Sequence, residues 1–188
     1  NRAIDSAEWN RLRDETVGWR QIKELTIGIL GMGRVGKGLA RVASAIGCRV
    51  LYNDLLEIEP QHRFGGEPVD VETLFARSDV LSIHIDGRPT NRGFVDARLI
   101  RKMKANVLFI NTSRGFVVDN LTLAEFMRSH PQATACLDVH EPEPFGPQYP
   151  LLGLPKVRLY PHLASRTETA MRNMSWVVKD VWAVLEGR

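Results

Sequence analysis

The stretch "LTIGILGMGRVGKGLA", residues 25–40, decides the fold of this chain. It begins as a short apolar run rich in β-branched residues, passes through glycines spaced G-x-G-x-x-G, and continues as a helical pattern. In this context Gly31 permits a tight turn, Gly33 lets the backbone approach a pyrophosphate, and Gly36 lets the helix pack closely on the strand. The same glycines could serve simply as turn formers, so the pattern needs support from the residues around it.

A carboxylate follows the glycine loop at the distance that dinucleotide binding requires. Asp54 stands at the end of the next predicted strand, roughly 20 residues beyond the loop, where it would accept hydrogen bonds from the adenosine ribose and repel a 2′-phosphate. Neither Leu55 nor Leu56 offers a cation for such a phosphate. Arg34 and Val35 open the predicted helix, so their amides would face the phosphate charge. The sequence therefore predicts NAD as cofactor rather than NADP.

Strand-like and helix-like segments alternate along the chain. Apolar runs predict strands over residues 25–30, 49–54, 79–85, 107–112, 133–139 and 157–161. Helical patterns cover roughly residues 3–14, 34–47, 69–78, 96–104, 120–130 and 167–186. Strands that alternate with helices of this length pair in parallel and are covered on both faces. We therefore expect an α/β fold, a doubly wound parallel sheet of the Rossmann dinucleotide-binding type.

Composition excludes several other classes of protein. With 188 residues, 44% hydrophobic and 25% charged, the chain has the composition of one globular domain. The net charge of +3 comes from scattered arginines, without the clustered stripe of a nucleic-acid-binding surface. No apolar run approaches the roughly 20 residues that span a bilayer, and no metal site is predicted. Cys48 and Cys136 are interpreted as buried thiols in a reducing compartment, which favours a cytoplasmic location.

Three polar segments follow predicted strands and together carry the groups of a possible reaction site. They are "NTSRG" (111–115), "DVHEPEP" (138–144) and "YPHLAS" (160–165). Because ligands bind at the carboxyl ends of parallel strands, the fold would bring an arginine, acidic groups and a histidine to one edge. Such groups can hold a carboxylate substrate and move a proton beside a hydride carrier. Taken singly, each has an ordinary interpretation as a solvated or structural side chain.

In this order the motifs resemble those of the D-isomer-specific 2-hydroxyacid dehydrogenases, over nearly the whole chain. A motif like N-T-x-R-G places the family's arginine on Arg114, and one like L-D-V-(F/H)-x-x-E-P places its acid on Glu143 rather than Glu141. A motif like P-H-x-x places its histidine on His162. The resemblance implies NAD-dependent hydride transfer between nicotinamide and a small 2-hydroxy or 2-keto acid. His162 would exchange the proton, Glu143 would orient it, and Arg114 would bind the substrate carboxylate.

The resemblance also implies a wider set of cofactor contacts. Beyond the glycine loop and Asp54, this set comprises His84, Ile85, Asn91, Thr112, Ser113, Arg114, Asp138, His162, Ala164 and Ser165. In the family the position of Asp138 meets the nicotinamide amide. The chain departs from the family's pattern at 85–88, where a Pro and a Leu are usual, and at 164–165, where two glycines are frequent. The remaining histidines, His62, His130 and His140, are interpreted as packing residues.

The same resemblance suggests how the chain is organised. We expect residues 1–188 to form an NAD-binding domain, with 1–20 as a linking helix or dimer arm and 21–188 as the core and closing helix. The substrate domain would be absent, so this piece alone would bind NAD but turn over slowly. Trp9 and Trp19 could serve in a homodimer contact.

Two other functions compete with the dehydrogenase. "DVHEPEPF" is also similar to the C-terminal-binding-protein corepressors, which would make the chain an NADH-sensing interaction protein on the same fold. A short-chain-type reductase is less favoured, because such enzymes need a lysine four residues after a tyrosine. None of Tyr52, Tyr149 and Tyr160 has one.

Overall fold

The computed structural model describes residues 2–15, 20–174 and 177–186. Across these ranges, seven strands form one sheet in the order β3-β2-β1-β4-β5-β6-β7, and every neighbouring pair is parallel. The strands are β1 (Thr26–Leu30), β2 (Arg49–Asn53), β3 (Glu67–Pro68), β4 (Val80–Ile83), β5 (Leu108–Asn111), β6 (Thr134–Leu137) and β7 (Val157–Leu159). The first six strands have the order of a dinucleotide-binding fold. The predicted doubly wound sheet is confirmed.

Helices connect the strands and cover the sheet. They are α1 (Ser6–Glu15), α2 (Arg34–Ala45), α3 (Val71–Arg77), α4 (Ala97–Ile100), α5 (Asn120–Ser129), α6 (Glu168–Met174) and α7 (Val177–Leu185). The last two occupy the region where one closing helix was predicted. Asp70 caps α3 by accepting a hydrogen bond from the Thr73 amide (2.9 Å), as its position before the helix indicates.

The two faces of the sheet bury separate apolar clusters. One contains Ile27 and Ile29 of β1 with residues of α2 and β2, and the other contains Phe109 of β5 with residues of α3, α4 and α5. Gly28 lies so close to the start of β4 that a Cβ there would stand 1.9 Å from the Ser78 hydroxyl. This two-sided burial explains why the strands are continuous apolar runs.

Two elements differ from the sequence-based prediction. The helix predicted over 96–104 ends at Ile100, after which Met103 donates its amide to the Ile100 carbonyl in a tighter turn. The turn buries the Met103 side chain and lets Lys104 reach Asp79, so tertiary contacts override helical propensity. Strand β3 was not predicted. It is a two-residue edge strand containing a proline, too short for a periodic pattern.

Asp79 ties the segment that enters the sheet to the core. Its buried carboxylate accepts hydrogen bonds from Arg20 (2.7 Å), Lys104 (2.8 Å) and the Thr26 amide (2.8 Å). Burial by itself raises the pKa of Asp79, but these donors outweigh it and hold the pKa well below its ordinary value. A carboxyl whose pKa is depressed on folding stabilises the fold above its unfolded pKa, and that stability is lost as pH falls through the folded pKa.

We expect Asp79→Asn to lower the free energy of unfolding at pH 7 by about 2 kcal/mol, the scale of hydrogen bonds to a charged group. The difference between wild type and variant should shrink as pH falls below about 4, where the unfolded carboxyl takes up its proton. Denaturant unfolding of both proteins at several pH values measures this. A difference that stays constant down to about pH 2 would show that the ionised form of Asp79 contributes nothing.

Candidate active site

The glycine loop joins β1 to α2 with each glycine in a different environment. Gly31 has φ +98°, and a Cβ there would lie 2.7 Å from the carbonyl carbon of His84. A Cβ on Gly36 would lie 2.2 Å from the Gly31 oxygen, so helix and loop touch directly. Nothing lies within 4 Å of the Cβ position of Gly33. Gly33 therefore has room for a ligand to approach its backbone, as its place in the motif requires.

A cleft of about 500 Å³, the first cleft, opens beside this loop at the carboxyl ends of β1, β2 and β4. Asp54 lies in it and accepts hydrogen bonds from the Met32 amide (2.5 Å) and the Leu56 amide (2.8 Å). A carboxylate offers about four acceptor positions, so two remain for ribose hydroxyls. Helix α2 begins next to the cleft with no side-chain cap, which leaves its first amides, including those of Arg34 and Val35, for an anion.

The segment after β4, where the chain departs from the family's pattern, forms the opposite wall of the first cleft. Asp86 and Arg88 form an ion pair there, with Arg88 Nε 2.7 Å from the carboxylate. Hydrogen bonds from Arg88 hold the pKa of Asp86 below its ordinary value. Asn91 donates to the Asp86 main chain (3.0 Å), and His84 contacts the Ser82 hydroxyl (2.8 Å). Burial lowers the pKa of His84, so its imidazole is neutral at neutral pH.

A second cleft of about 300 Å³ lies at the carboxyl ends of β5, β6 and β7. Its lining includes three predicted cofactor residues, Thr112, Asp138 and Ala164. The sequence predicted a buried Cys136, but this residue is only half-buried, because it lies on β6 where the strand lines this cleft. Ser165 is half-buried and lies next to the lining rather than within it. The two clefts open along the same edge of the sheet, where a dinucleotide crosses this fold.

The loop after β5 carries Arg114 and is tied down by Asn111. The buried Asn111 side chain accepts from the Ser113 amide (3.0 Å) and hydroxyl (2.9 Å) and donates to the Arg114 carbonyl (3.0 Å). The Ser113 hydroxyl is thus engaged inside the loop. The Arg114 side chain is exposed and packs beside Gly87, where a Cβ would lie 3.2 Å from it. Arg114 Nη1 donates to the Ser113 carbonyl (2.6 Å), and the other guanidinium N–H groups face outward for an incoming anion.

Glu143 and His162, far apart in sequence, form a hydrogen-bonded pair. His162 Nδ1 lies 3.0 Å from Glu143 Oε2, and the other oxygen, Oε1, accepts from the His140 amide (2.7 Å). Burial raises the pKa of Glu143, but the hydrogen bonds from His162 and the His140 amide outweigh it and leave the pKa below its ordinary value. An ionised carboxylate only accepts, so Nδ1 carries the proton and Nε2 is the atom left to exchange one. The side chains are 44% and 38% exposed, open enough to meet a substrate.

His162 has a backbone conformation that few non-glycine residues adopt. Its φ is +55°, which costs about 1–3 kcal/mol and persists only where surrounding contacts hold it. Those contacts are a hydrogen bond from its amide to the Tyr160 carbonyl (3.0 Å) and bonds from the next two amides, of Leu163 and Ala164, to Asp138 (2.7 and 2.8 Å). Asp138, predicted to meet the nicotinamide amide, thus also holds the histidine turn. Its two remaining acceptor positions leave that predicted contact open.

The "NTSRG" and "DVHEPEP" segments meet at the main chain of His140. Its amide binds Glu143, and its carbonyl faces Gly115 so closely that a Cβ at position 115 would lie 1.9 Å from it. The Arg114 loop is therefore pressed against the segment that holds Glu143. Asn111 and Gly115 were not predicted as contributors, although both lie in the quoted "NTSRG" motif. For Asn111, the signal available in the sequence was a side-chain amide at the end of an apolar strand.

Of the residues that the structure describes, no three or more His, Cys, Asp or Glu side chains are grouped so that they could hold a metal ion. No helix among those residues is both long and apolar enough to cross a membrane.

Comparison with known proteins identifies the family. The profile described as "D-isomer specific 2-hydroxyacid dehydrogenase, NAD binding domain" matches residues 1–164. A glyoxylate reductase of Aeropyrum pernix is 35% identical over 190 residues, covering 96% of this chain and 56% of that protein. A D-3-phosphoglycerate dehydrogenase of Archaeoglobus fulgidus is 32% identical over 181 residues, covering 96% of this chain and 34% of that protein.

Solved structures agree with this assignment. The D-lactate dehydrogenase of Lactobacillus jensenii, solved with NAD⁺, superposes with a TM-score of 0.81 at 26% identity, over 96% of this chain and 61% of that one. A glyoxylate reductase from Paecilomyes thermophila gives 0.82 at 31% identity, over 89% and 51%. The chain thus spans between about a third and three-fifths of these relatives. The open glycine loop, the uncapped α2 and Asp54 fit the cofactor, and the chain belongs to the D-isomer-specific 2-hydroxyacid dehydrogenase family as its NAD-binding domain.

Proposed function

We propose that this domain serves an NAD-dependent oxidoreductase that interconverts a small 2-hydroxy acid and its 2-keto acid. The observation that carries the proposal is the His162–Glu143 pair at the same sheet edge as the two clefts. A histidine oriented by a carboxylate and left with one free ring nitrogen is a suitable proton donor and acceptor near neutral pH.

Each of the three side chains has a separate task in the reaction. When bound, the nicotinamide ring of NAD supplies or accepts the hydride. His162 Nε2 gives a proton to the carbonyl oxygen during reduction and removes it from the hydroxyl during oxidation. Glu143 fixes the ring orientation and stabilises the imidazolium that forms. Arg114, exposed and held at its backbone by Asn111, binds the substrate carboxylate through its planar guanidinium and polarises the adjacent carbonyl.

The dinucleotide would lie along the sheet edge with its adenosine end in the first cleft and its nicotinamide end in the second. Asp54, His84, Ile85 and Asn91 line the first cleft. On the nicotinamide side the predicted contacts are Thr112, Ser113, Asp138, Ala164 and Ser165. Three of the relatives are named for glyoxylate, 3-phosphoglycerate and lactate, and each of these compounds is a small 2-hydroxy or 2-keto acid.

We extend the proposal to organisation and location. Residues 1–188 would act as the cofactor domain, with 1–20 as the linking or dimer-arm segment and 21–188 as core and closing helix. Helix α1 buries none of its side chains, and Trp9 is 56% exposed, which supports a homodimer contact there. Trp19 lies outside the described residues. The thiols of Cys48 and Cys136 are free, which supports a reducing, cytoplasmic location.

A steady-state assay of the full-length polypeptide tests the function. NADH oxidation is followed with a panel of 2-keto acids that includes glyoxylate, pyruvate and hydroxypyruvate, and NAD⁺ reduction is followed with the matching hydroxy acids. Turnover of at least one pair by direct hydride transfer is expected. Absence of turnover across the panel, together with tight NADH-dependent binding of a protein partner, would favour the NADH-sensing alternative instead.

In Asp54→Ala, the ratio of kcat/KM with NADH to kcat/KM with NADPH should fall about tenfold or more. A tenfold change in this ratio corresponds to roughly 1.4 kcal/mol. The variant loses both the ribose acceptor and the repulsion of a 2′-phosphate. Because Asp54 also binds the Met32 and Leu56 amides, Asp54→Asn is the matched control that keeps an acceptor and removes the charge. If both variants keep the wild-type cofactor ratio, Asp54 does not read the ribose.

A further inference from the structure

We propose that His140 is a positioning residue that holds both members of the Glu143–His162 pair in place, an inference that rests on the proposed function. The sequence suggested only packing for this histidine. The residue is 4% exposed, and both ring nitrogens as well as the main-chain amide make hydrogen bonds within the candidate site.

The contacts of the His140 ring fix its tautomer. Nε2 lies 2.8 Å from the Tyr160 carbonyl, which can only accept, so Nε2 carries the proton. Nδ1 lies 3.2 Å from the Tyr149 hydroxyl and accepts from it. Burial, with a contribution from the charge of Glu143, raises the pKa of Tyr149 to about 12, so this hydroxyl keeps its proton at neutral pH. The ring is therefore held in one orientation by a hydrogen bond at each nitrogen.

The Tyr160 carbonyl links His140 to the proton-exchanging histidine. The same oxygen that accepts from His140 Nε2 also accepts from the His162 amide at 3.0 Å. This second bond closes the turn in which His162 has φ +55°. A donor that fixes the carbonyl therefore helps to hold the strained turn, and with it the direction in which the His162 imidazole points.

His140 also acts on the carboxylate. Its amide donates to Glu143 Oε1 at 2.7 Å, while Glu143 Oε2 accepts from His162 Nδ1 at 3.0 Å. The hydrogen bond from His140 Nε2 to the Tyr160 carbonyl also holds this amide in place, because it attaches the side chain of the same residue to the end of the neighbouring strand. His140 thus restrains the Glu143 carboxylate through its amide and the His162 imidazole through the Tyr160 carbonyl. Since catalytic groups must be held within a fraction of an ångström, loosening either restraint would slow the reaction.

The alternative role for His140 is packing alone. Its ring makes edge contacts with Phe145 (centroids 4.6 Å apart) and Tyr149 (5.4 Å apart). Phenylalanine would keep such aromatic contacts and remove the ring hydrogen bonds. Glutamine would lose the aromatic contacts and keep an amide that can donate to the Tyr160 carbonyl. The two substitutions therefore separate the roles.

The test compares His140→Phe and His140→Gln in the full-length polypeptide, with His130→Phe as control. His130 also bonds a backbone carbonyl (Phe126, 2.9 Å) and stacks on a ring, but it lies outside the site. We expect His140→Phe to lower kcat about tenfold with an unchanged KM for NADH, and His140→Gln to stay within about threefold of wild type. His130→Phe should keep wild-type kcat. The proposal is overturned if the kcat of His140→Phe equals or exceeds that of His140→Gln.

A second readout does not depend on turnover. Carbon-13 NMR of the Glu143 carboxyl should show its pKa rising toward the ordinary value in His140→Phe and staying low in His140→Gln. If wild type reduces no acid in the panel, the proposed function fails while this titration still decides the positioning role. An unchanged Glu143 pKa in His140→Phe overturns it. Should that variant not fold, His140→Leu removes the same ring hydrogen bonds with a smaller side chain, and a kcat equal to wild type would contradict the proposal.

Discussion

His162→Ala should lower kcat by about 10²- to 10⁴-fold, the range that a positioned general acid contributes. The variant retains Glu143 and Arg114 but has no group to exchange a proton with the substrate oxygen. Binding of NADH should change little, because the glycine loop, the α2 amides and Asp54 are untouched. The measurements are kcat in both directions and the NADH dissociation constant from fluorescence titration.

His162→Gln is the matched control for the strained backbone at this position. Glutamine keeps a polar side chain and a possible bond to Glu143, but it cannot exchange a proton at neutral pH. Both variants should therefore lose turnover to a similar extent. If NADH affinity falls as far as turnover does, His162 supports the cofactor site rather than the proton transfer.

Gly115→Ala should destabilise the fold by about 3 kcal/mol or more, the upper part of the range for overpacking. The added Cβ would meet the His140 carbonyl at 1.9 Å, and both contacting segments are main chain, so neither can yield by changing a rotamer. For a protein of this size the loss corresponds to a fall in Tm of roughly 6–12 °C. Thermal unfolding measures it directly.

The same substitution should reduce activity, because the clash displaces the Arg114 loop from the segment that holds Glu143. We expect kcat/KM for the keto acid to fall by about tenfold or more at a temperature where the variant is folded. Gly38→Ala is the control, since nothing lies within 4 Å of its Cβ position and it lies inside α2. That variant should be as stable as wild type or up to about 1 kcal/mol more stable. Equal Tm values for the two variants would refute the close contact at position 115.

The sequence was a good guide wherever a local pattern determines structure. The run 25–40 specifies a strand, a turn and a helix through its own side chains, and each predicted apolar run contains a strand of the sheet. The shared edge of the sheet followed from parallel pairing, so Glu143 and His162 could be expected to meet. Their hydrogen bond is what that topology produces.

Contacts between segments remote in sequence could not be predicted in the same way. The approach of Gly115 to His140 depends on how two loops lie on adjacent strands, which no spacing records. The Asp86–Arg88 ion pair is a local contact, but it lies where the sequence departs from the family's pattern, so the resemblance offered no precedent. Helix α4 stopped early because Met103 and Lys104 have partners elsewhere, a tertiary effect that local propensity does not contain.

The position of the two clefts along the chain has a consequence for the order in which the protein is made. All residues lining the first cleft fall between 30 and 94, and all those lining the second fall between 110 and 164. A ribosome therefore completes all the residues that line the first cleft before it begins those that line the second. In the proposed arrangement, the adenosine end of the cofactor site is synthesised first and the nicotinamide end afterwards.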